Sequence, residues 1–381
     1  MRSCSLPEII ISYGQMRELR HGFQKHIMCS RNLVVPGFAR GFFVGGAWIF
    51  EAYAVRTLIK FRHFRRKISR KSRCIRDSES TSYQQGGISM KYMTRSGKIT
   101  GSDGLQDRFL QAVYRNSVSR RLIAPFLAPG FSNAVGRFLD SRFSACRVKP
   151  FVRWNRIDLT DCEKKRFSSY NDFFTRRLRW GARPVDREPG VLISPCDSLV
   201  SVYRISPGMR VMVKQTPYLV SELLRDEVLA RRFEGGLLYV MRLCVDDYHR
   251  YVFPANGRQS GYRKIRGVLH TVNPAAADAA PIYKENSREY GILRTKEFGD
   301  VLMMEVGALM VGRICNHPGH RMVRCGEEKG YFAFGGSTII LMTQKGKVEA
   351  DADLTGHTIA GYETKIRQGE RIGSAIREAF G

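Results

Sequence analysis

From Leu105 onward, apolar residues return at the spacing of a helix. Leu105, Phe109, Leu110 and Val113 form one stripe, and Leu122, Ile123, Phe126 and Leu127 continue it. Arg108, Arg115, Arg120 and Arg121 lie between them, Pro125 and Pro129 break the run, and Phe131, Val135, Phe138, Leu139 and Phe143 begin another. Bulky apolar positions with interleaved arginines suit a helix in a bilayer interface, but periodicity alone favours one packed on the protein's own core. From about Val191 the texture changes. Leu199–Ile205, Leu237–Val245, Val301–Val306 and Tyr331–Thr343 are runs of Val, Ile, Leu, Tyr, Phe and Met with Gly or Pro in the intervals, which predicts strands. Ser221–Phe233 predicts a helix with Ser221 as N-cap. The pattern is α+β: N-terminal amphipathic helices followed by a mostly β core, without an internal repeat. It divides into an extension over 1–89, a helical region over 90–190 and a β-rich core over 191–381.

Charge adds a partner to this picture. Among 381 residues, Lys and Arg number 63 against 35 Asp and Glu, a net charge of +28. Such an excess implies nucleic acid, an anionic membrane surface or an acidic substrate, without choosing among them. A hydrophobic share of 43% excludes a wholly disordered chain. The apolar run Gly41–Phe50 is stopped by Glu51 and Arg56 and is too short to span a bilayer. The N-terminus lacks the order of a secretory signal. Nine scattered cysteines without a CxxC pair suit a reducing compartment and mostly free thiols. Residues 1–89 hold a basic cluster at Phe61–Lys67 and a polar stretch from Asp77 to Gly87. They read as a basic arm, a targeting extension, or sequence upstream of a true start at Met90, the last being preferred. Glu8 and Glu18 argue against a mitochondrial presequence.

Candidate chemistry gathers at four places. In Tyr331–Leu341 an aromatic strand runs into Gly335, Gly336, Ser337 and Thr338, then into a second apolar strand. Two glycines inside a β run mark a hinge or a close backbone approach, and Ser337 could attack the carbonyl before it, turning an amide into an ester. In Val245–Pro254 a strand ends in Asp246, Asp247, His249 and Arg250, where a histidine can move protons near neutral pH. Asp197, between Pro195 and a β run, could orient a histidine or close an Asx turn. His270 follows another apolar run. Ser, His and Asp are all present, but there is no GxSxG elbow, and no glycine-rich nucleotide motif. Cys315, His317, His320 and Cys325 have no standard zinc spacing, so no metal is expected.

Taken in order, several stretches resemble the phosphatidylserine decarboxylase family. They are Phe173-Phe174-Thr175-Arg176-Arg177-Leu178, Ser194-Pro195-Cys196-Asp197, Asp247-Tyr248-His249-Arg250, Val272-Asn273-Pro274, Val306–Gly312, Gly326–Gly330 and Gly336-Ser337-Thr338, spread over roughly residues 90–375. The resemblance implies a proenzyme that cuts itself between Gly336 and Ser337 into a β chain, 1–336, and an α chain, 337–381. It further implies a covalent pyruvoyl cofactor made from Ser337, which forms a Schiff base with phosphatidylserine and releases CO2 and phosphatidylethanolamine. Ser337 would be the nucleophile, Asp197 would orient its activating histidine, and His249 would protonate the carbanion. The family pattern has a second histidine three residues after the first, where this chain has Val252. His270 is then expected to replace it beside Asp197, unless His249 does both tasks.

The resemblance implies a peripheral protein on the cytoplasmic face of the cell membrane, drawn to anionic lipid by the 105–148 arginines. It admits a homodimer and implies no nucleic-acid partner. Other readings are a pyruvoyl decarboxylase of a soluble amino acid, a noncatalytic basic membrane- or nucleic-acid-binding protein, and a serine hydrolase using Ser337. No helix-turn-helix, RNP or zinc-finger pattern favours nucleic acid.

Overall fold

The computed structural model describes residues 91–102, 136–213, 216–244, 246–267, 282–307, 313–333 and 337–376. All belong to the unit Ser80–Gly381. The expectations for 1–89, for most of the amphipathic stretch (103–135), and for His270 and Gly336 fall outside the described residues.

The chain opens with β1 (Lys91–Thr94) and β2 (Ile99–Ser102), turned at Gly97, whose φ of 79° is a left-handed value glycine takes without strain. These residues, expected within the helical region, are instead strands at the sheet edge. β3 (Val191–Ile193), β4 (Ser198–Arg204), β5 (Arg210–Val213), β6 (Thr216–Leu219), β7 (Leu237–Leu243) and β8 (Arg250–Val252) come next. Then follow β9 (Gly257–Gln259), β10 (Arg263–Ile265), β11 (Arg288–Arg294), β12 (Asp300–Val306), β13 (Arg313–Asn316) and β14 (Arg321–Val323). β15 (Glu328–Ala333), β16 (Ser337–Thr343), β17 (Val348–Ala350), β18 (Glu363–Ile366) and β19 (Arg371–Ala375) complete the set.

The large sheet runs β14-β9-β11-β12-β16-β7-β4-β18-β1-β2, with β10 added on β11. Its middle strands β7 and β16 are buried at every position, which is why the sequence shows them as unbroken apolar runs rather than alternating ones. One face carries Leu238, Val240, Met304, Ile340 and Met342 against Val220, Leu223, Leu224 and Phe233. The other carries Tyr239, Met241, Met303, Ile339 and Leu341 against Tyr251 and Phe332 of the smaller sheet β13-β15-β8 and Phe253 just after it. Each fully buried Leu, Ile or Met contributes about 1.5–3 kcal/mol of transfer free energy. Two charge pairs lie in this interior: Lys329 meets Glu305 at 2.6 Å and Arg242 meets Glu363 at 2.6 Å.

The expected helix Ser221–Phe233 is two short ones, Val220–Leu224 and Glu227–Arg231. Arg225 between them is left-handed, and Asp226, not Ser221, caps the second by accepting from the Leu229 amide at 3.0 Å. Before the sheet, a 3-10 turn Arg142–Arg147 and helices Val148–Trp154 and Tyr170–Phe174 share a small core of Leu139, Val148, Tyr170, Phe173 and Phe174. Among the described residues no helix is long and apolar enough to cross a membrane.

Candidate active site

β7 lies between β4 and β16, and its end organises the site. Ser337, the first residue of β16, is opposite Leu243, the last of β7. On the other side Leu199 of β4 is opposite Arg242, so Asp197, two residues earlier, lies at the same end of the sheet. The chain leaving β7 turns through Asp247 and delivers His249 just before β8. The His249 carbonyl accepts from the Phe332 amide at 3.0 Å, which ties the histidine to β15, the strand that leads into Gly336–Ser337. Ser337, His249 and Asp197, far apart in sequence, are thus gathered at one end of the large sheet.

All three are buried, Ser337 and His249 completely and Asp197 to within 6%. The Ser337 hydroxyl has no hydrogen-bond partner among the described residues, and the same holds for the hydroxyls of Thr338 and Ser198 beside it. A buried hydroxyl without a partner costs stability. Ser337 and Ser198 share the face of the sheet that carries Leu243, and two such hydroxyls at the end of β7 mark a place shaped for something other than packing.

The His249 Nδ1 stands 3.0 Å from the Asp247 carbonyl oxygen. A carbonyl only accepts, so Nδ1 carries the proton and Nε2 is the basic nitrogen of the neutral ring. Phe174 covers the imidazole at a centroid distance of 4.0 Å. Its position is fixed locally. Ser169 caps the helix Tyr170–Phe174 through the Asp172 amide at 3.0 Å, and Phe173 locks its other face against Phe151 and Phe167.

Asp197 is held by an arginine. Arg183 donates Nε to Oδ1 at 2.8 Å and Nη2 to Oδ2 at 2.5 Å, and the Gln368 amide adds 2.9 Å to Oδ1. The Gln368 side chain donates to the carbonyls of Pro195 and Arg250, binding the Asp197 turn to β8. His270, the histidine expected beside Asp197, lies outside the described residues. Val252 packs with Val191 and Ile193, so the position of the family pattern's second histidine is apolar core here.

Three residues of the site had been given no role by the sequence reading: Arg183, Arg176 and Asp247. Asp247 accepts from the Cys244 amide at 2.7 Å, and burial together with Asp246 pushes its carboxyl up to about 7. Both Arg176 and Asp247 fall inside runs that drew notice. Arg183 lies in a loop 14 residues before its partner, where no periodicity could single it out. Among the described residues no three His, Cys, Asp or Glu side chains converge as a metal site would need. His317 instead meets Glu328 at 2.8 Å. The described cysteines are free.

The phosphatidylserine decarboxylase family model matches residues 170–374, the span that holds all of these groups. The phosphatidylserine decarboxylase proenzyme 2 of Clostridium acetobutylicum is 41% identical over 265 residues, covering 69% of this chain and 91% of that protein. The phosphatidylserine decarboxylase proenzyme of Ruminiclostridium cellulolyticum is 42% identical over 252 residues, covering 65% and 84%. That of Clostridium perfringens is 37% identical over 273 residues, covering 70% and 93%.

Proposed function

Since the chain belongs to the phosphatidylserine decarboxylase family, we propose that it cuts itself between Gly336 and Ser337 and then converts phosphatidylserine to phosphatidylethanolamine and CO2. The observation that carries this reading is Ser337: a buried serine at the first position of a central strand, its hydroxyl without a described partner, at the same sheet end as His249. In the cut, the Ser337 oxygen attacks the Gly336 carbonyl while His249 Nε2 takes the hydroxyl proton. The peptide C–N bond breaks and leaves an ester on the Ser337 oxygen. Loss of the residue-337 Cα proton then breaks the Cβ–O bond and frees the Gly336 carboxylate. Water replaces the nitrogen, which departs as ammonia, and a pyruvoyl end remains on the α chain, 337–381.

The residues present fit that group, because the Ser198 hydroxyl, which the cut does not consume, has no described hydrogen-bond partner and leaves hydrogen-bonding capacity at that end of the sheet. Once formed, it supplies an electrophilic carbonyl that captures the substrate amine and draws electrons as CO2 leaves. The chain's own part is to exclude water and to return a proton. Phe174 and Leu243 line the place with apolar surface, which favours loss of a carboxylate charge. His249 returns the proton to carbon. Arg183 fixes Asp197; Val252 cannot serve as its partner histidine, and His270 is the alternative to His249 as the base of the cut.

The substrate stays in a bilayer, and the β-rich core over 191–381 is brought to it by the helical region before it. Phe143, Trp154 and Trp180 are exposed at 83%, 80% and 97%, with Arg142, Lys149, Arg153 and Arg179 exposed near them in sequence. Large apolar side chains among cations suit the interface of an anionic leaflet, here the cytoplasmic face of the cell membrane.

Intact mass measurement tests the cut. Wild-type protein is expected as two chains split after Gly336, the smaller lighter than a serine-started peptide by one ammonia. Ser337→Ala is expected as one chain. A folded wild type that stays whole and leaves phosphatidylserine vesicles unchanged would overturn the reading. His249→Ala and His270→Ala, scored for cutting in the same way, assign the base.

A further inference from the structure

Arg176 is buried to 6% exposure at the end of the helix Tyr170–Phe174, yet two of its donors, Nε and Nη1, have no hydrogen-bond partner among the described residues. Only Nη2 is engaged, donating to the carbonyls of Asp246 at 3.0 Å and Asp247 at 3.1 Å. The other described neighbours are the Phe173 ring, 5.1 Å below the guanidinium, and the Cys162 thiol, a weak acceptor. Arginine carries five N–H donors in a fixed fork and stays charged, so leaving its remaining edge unmatched in the interior is costly. Asp197 and Asp247 attract it, but among the described residues no carboxylate oxygen bonds it: Asp197 is taken by Arg183, and the Asp246 and Asp247 groups that accept from it are carbonyls.

Its location is specific. The Asp247 carbonyl that accepts from Arg176 Nη2 also accepts from His249 Nδ1 at 3.0 Å, so guanidinium and imidazole hang from one oxygen. We propose that Arg176 is the anchor for the phosphodiester of the lipid headgroup, its open edge taking two phosphate oxygens while the amine, four bonds from phosphorus, reaches the end of Ser337. This rests on the function proposed above.

The substrate offers two anions, and the chemistry selects between them. A guanidinium on the carboxylate would stabilise the charge that must vanish as CO2 leaves, holding the ground state more tightly than the transition state. The phosphodiester keeps its charge from substrate to product, so binding it fixes the headgroup without opposing the reaction. Asp247, whose carbonyl both residues bond, has its carboxyl raised to about 7 by burial, which roughly halves the negative charge it carries at neutral pH. Cys162, Asp197 and Tyr248 are the other titratable groups that act on Arg176.

The experiment uses the mature enzyme and a short-chain, monomeric phosphatidylserine. Intact mass first establishes that Arg176→Gln and Arg176→Lys are cut. Arg176→Gln is expected to raise KM about ten- to hundredfold, the worth of a charge-assisted pair, with kcat within about threefold. Arg176→Lys should recover part of the loss. Glycerophosphoethanolamine, a phosphodiester without a carboxylate, should compete in the wild type and fail to compete in Arg176→Gln. O-methylserine, with a carboxylate and no phosphate, should inhibit both alike. An unchanged KM, or an Arg176→Gln that loses O-methylserine instead, overturns the proposal while leaving the decarboxylase reading in place. A wild type that is neither cut nor active defeats that reading itself.

If the variants do not fold, the wild type decides. Phenylglyoxal labelling of Arg176, located by peptide mass, should be blocked by glycerophosphoethanolamine and not by O-methylserine. Labelling indifferent to the phosphodiester, or absent altogether, overturns the assignment, because a guanidinium closed to a small dicarbonyl is closed to a headgroup.

Discussion

Val252 is 7% exposed and belongs to a cluster with Val191 and Ile193. An imidazole there would enter apolar surroundings, so in the proposed mechanism the proton chemistry falls to His249, whose tautomer the Asp247 carbonyl sets. Asp247 itself makes a pH prediction. Its carboxyl is raised from 3.8 to about 7, so between those values the folded chain holds a proton that the unfolded chain has released. Stability from this group is therefore lost as pH rises through that window. Asp247→Asn keeps an acceptor for the Cys244 amide and removes the titration. Its melting temperature is expected to match the wild type near pH 3 and to exceed it increasingly as pH rises toward 8; a constant offset across that range would contradict the raised carboxyl. The site residues that chemistry makes conspicuous, Ser337, His249 and Asp197, were legible in the sequence. Arg183 was not, because an ion pair closed across a loop leaves no trace in residue spacing.

At the level of elements, the small helix Tyr170–Phe174 matters more than its length suggests, since it places Phe174 on His249 and leads into Arg176. Ser169→Ala removes its N-cap and is expected to cost about 1 kcal/mol in denaturant unfolding. Leu341→Ala, in the middle of β16, is expected to cost about 2–5 kcal/mol, because that strand is covered on both faces. Equal losses for the two would show that β16 is not the centre of the core. Doubly covered strands are also why β7, β12 and β16 could be read from unbroken apolar runs. Within Tyr331–Thr343, Gly335-Gly336 mark the break between two strands that the sequence predicts, and these are β15 and β16, in different sheets. The helix predicted over Ser221–Phe233 broke for a local reason, the left-handed Arg225 followed by Asp226 as a new cap.

For the whole molecule, the charge of +28 and the exposed Trp154 and Trp180 make a joint prediction. Flotation with phosphatidylserine-containing vesicles is expected to exceed that with neutral vesicles and to weaken between 50 and about 500 mM salt, as Debye screening shortens. Trp154→Ser with Trp180→Ser should lower binding to both kinds. Binding insensitive to salt and to both substitutions would place the docking surface elsewhere. The position of β16 has a last consequence. After a cut at Gly336, the 337–381 fragment still supplies the stave between β7 and β12, and through β18 and β19 it also lies along β4 and β3. The mature protein would then be a heterodimer whose partners met only once, as a single precursor. Dilution would lower its melting temperature as mass action requires, and recovery from denaturant would become a second-order search between two chains with no tether to bring them back.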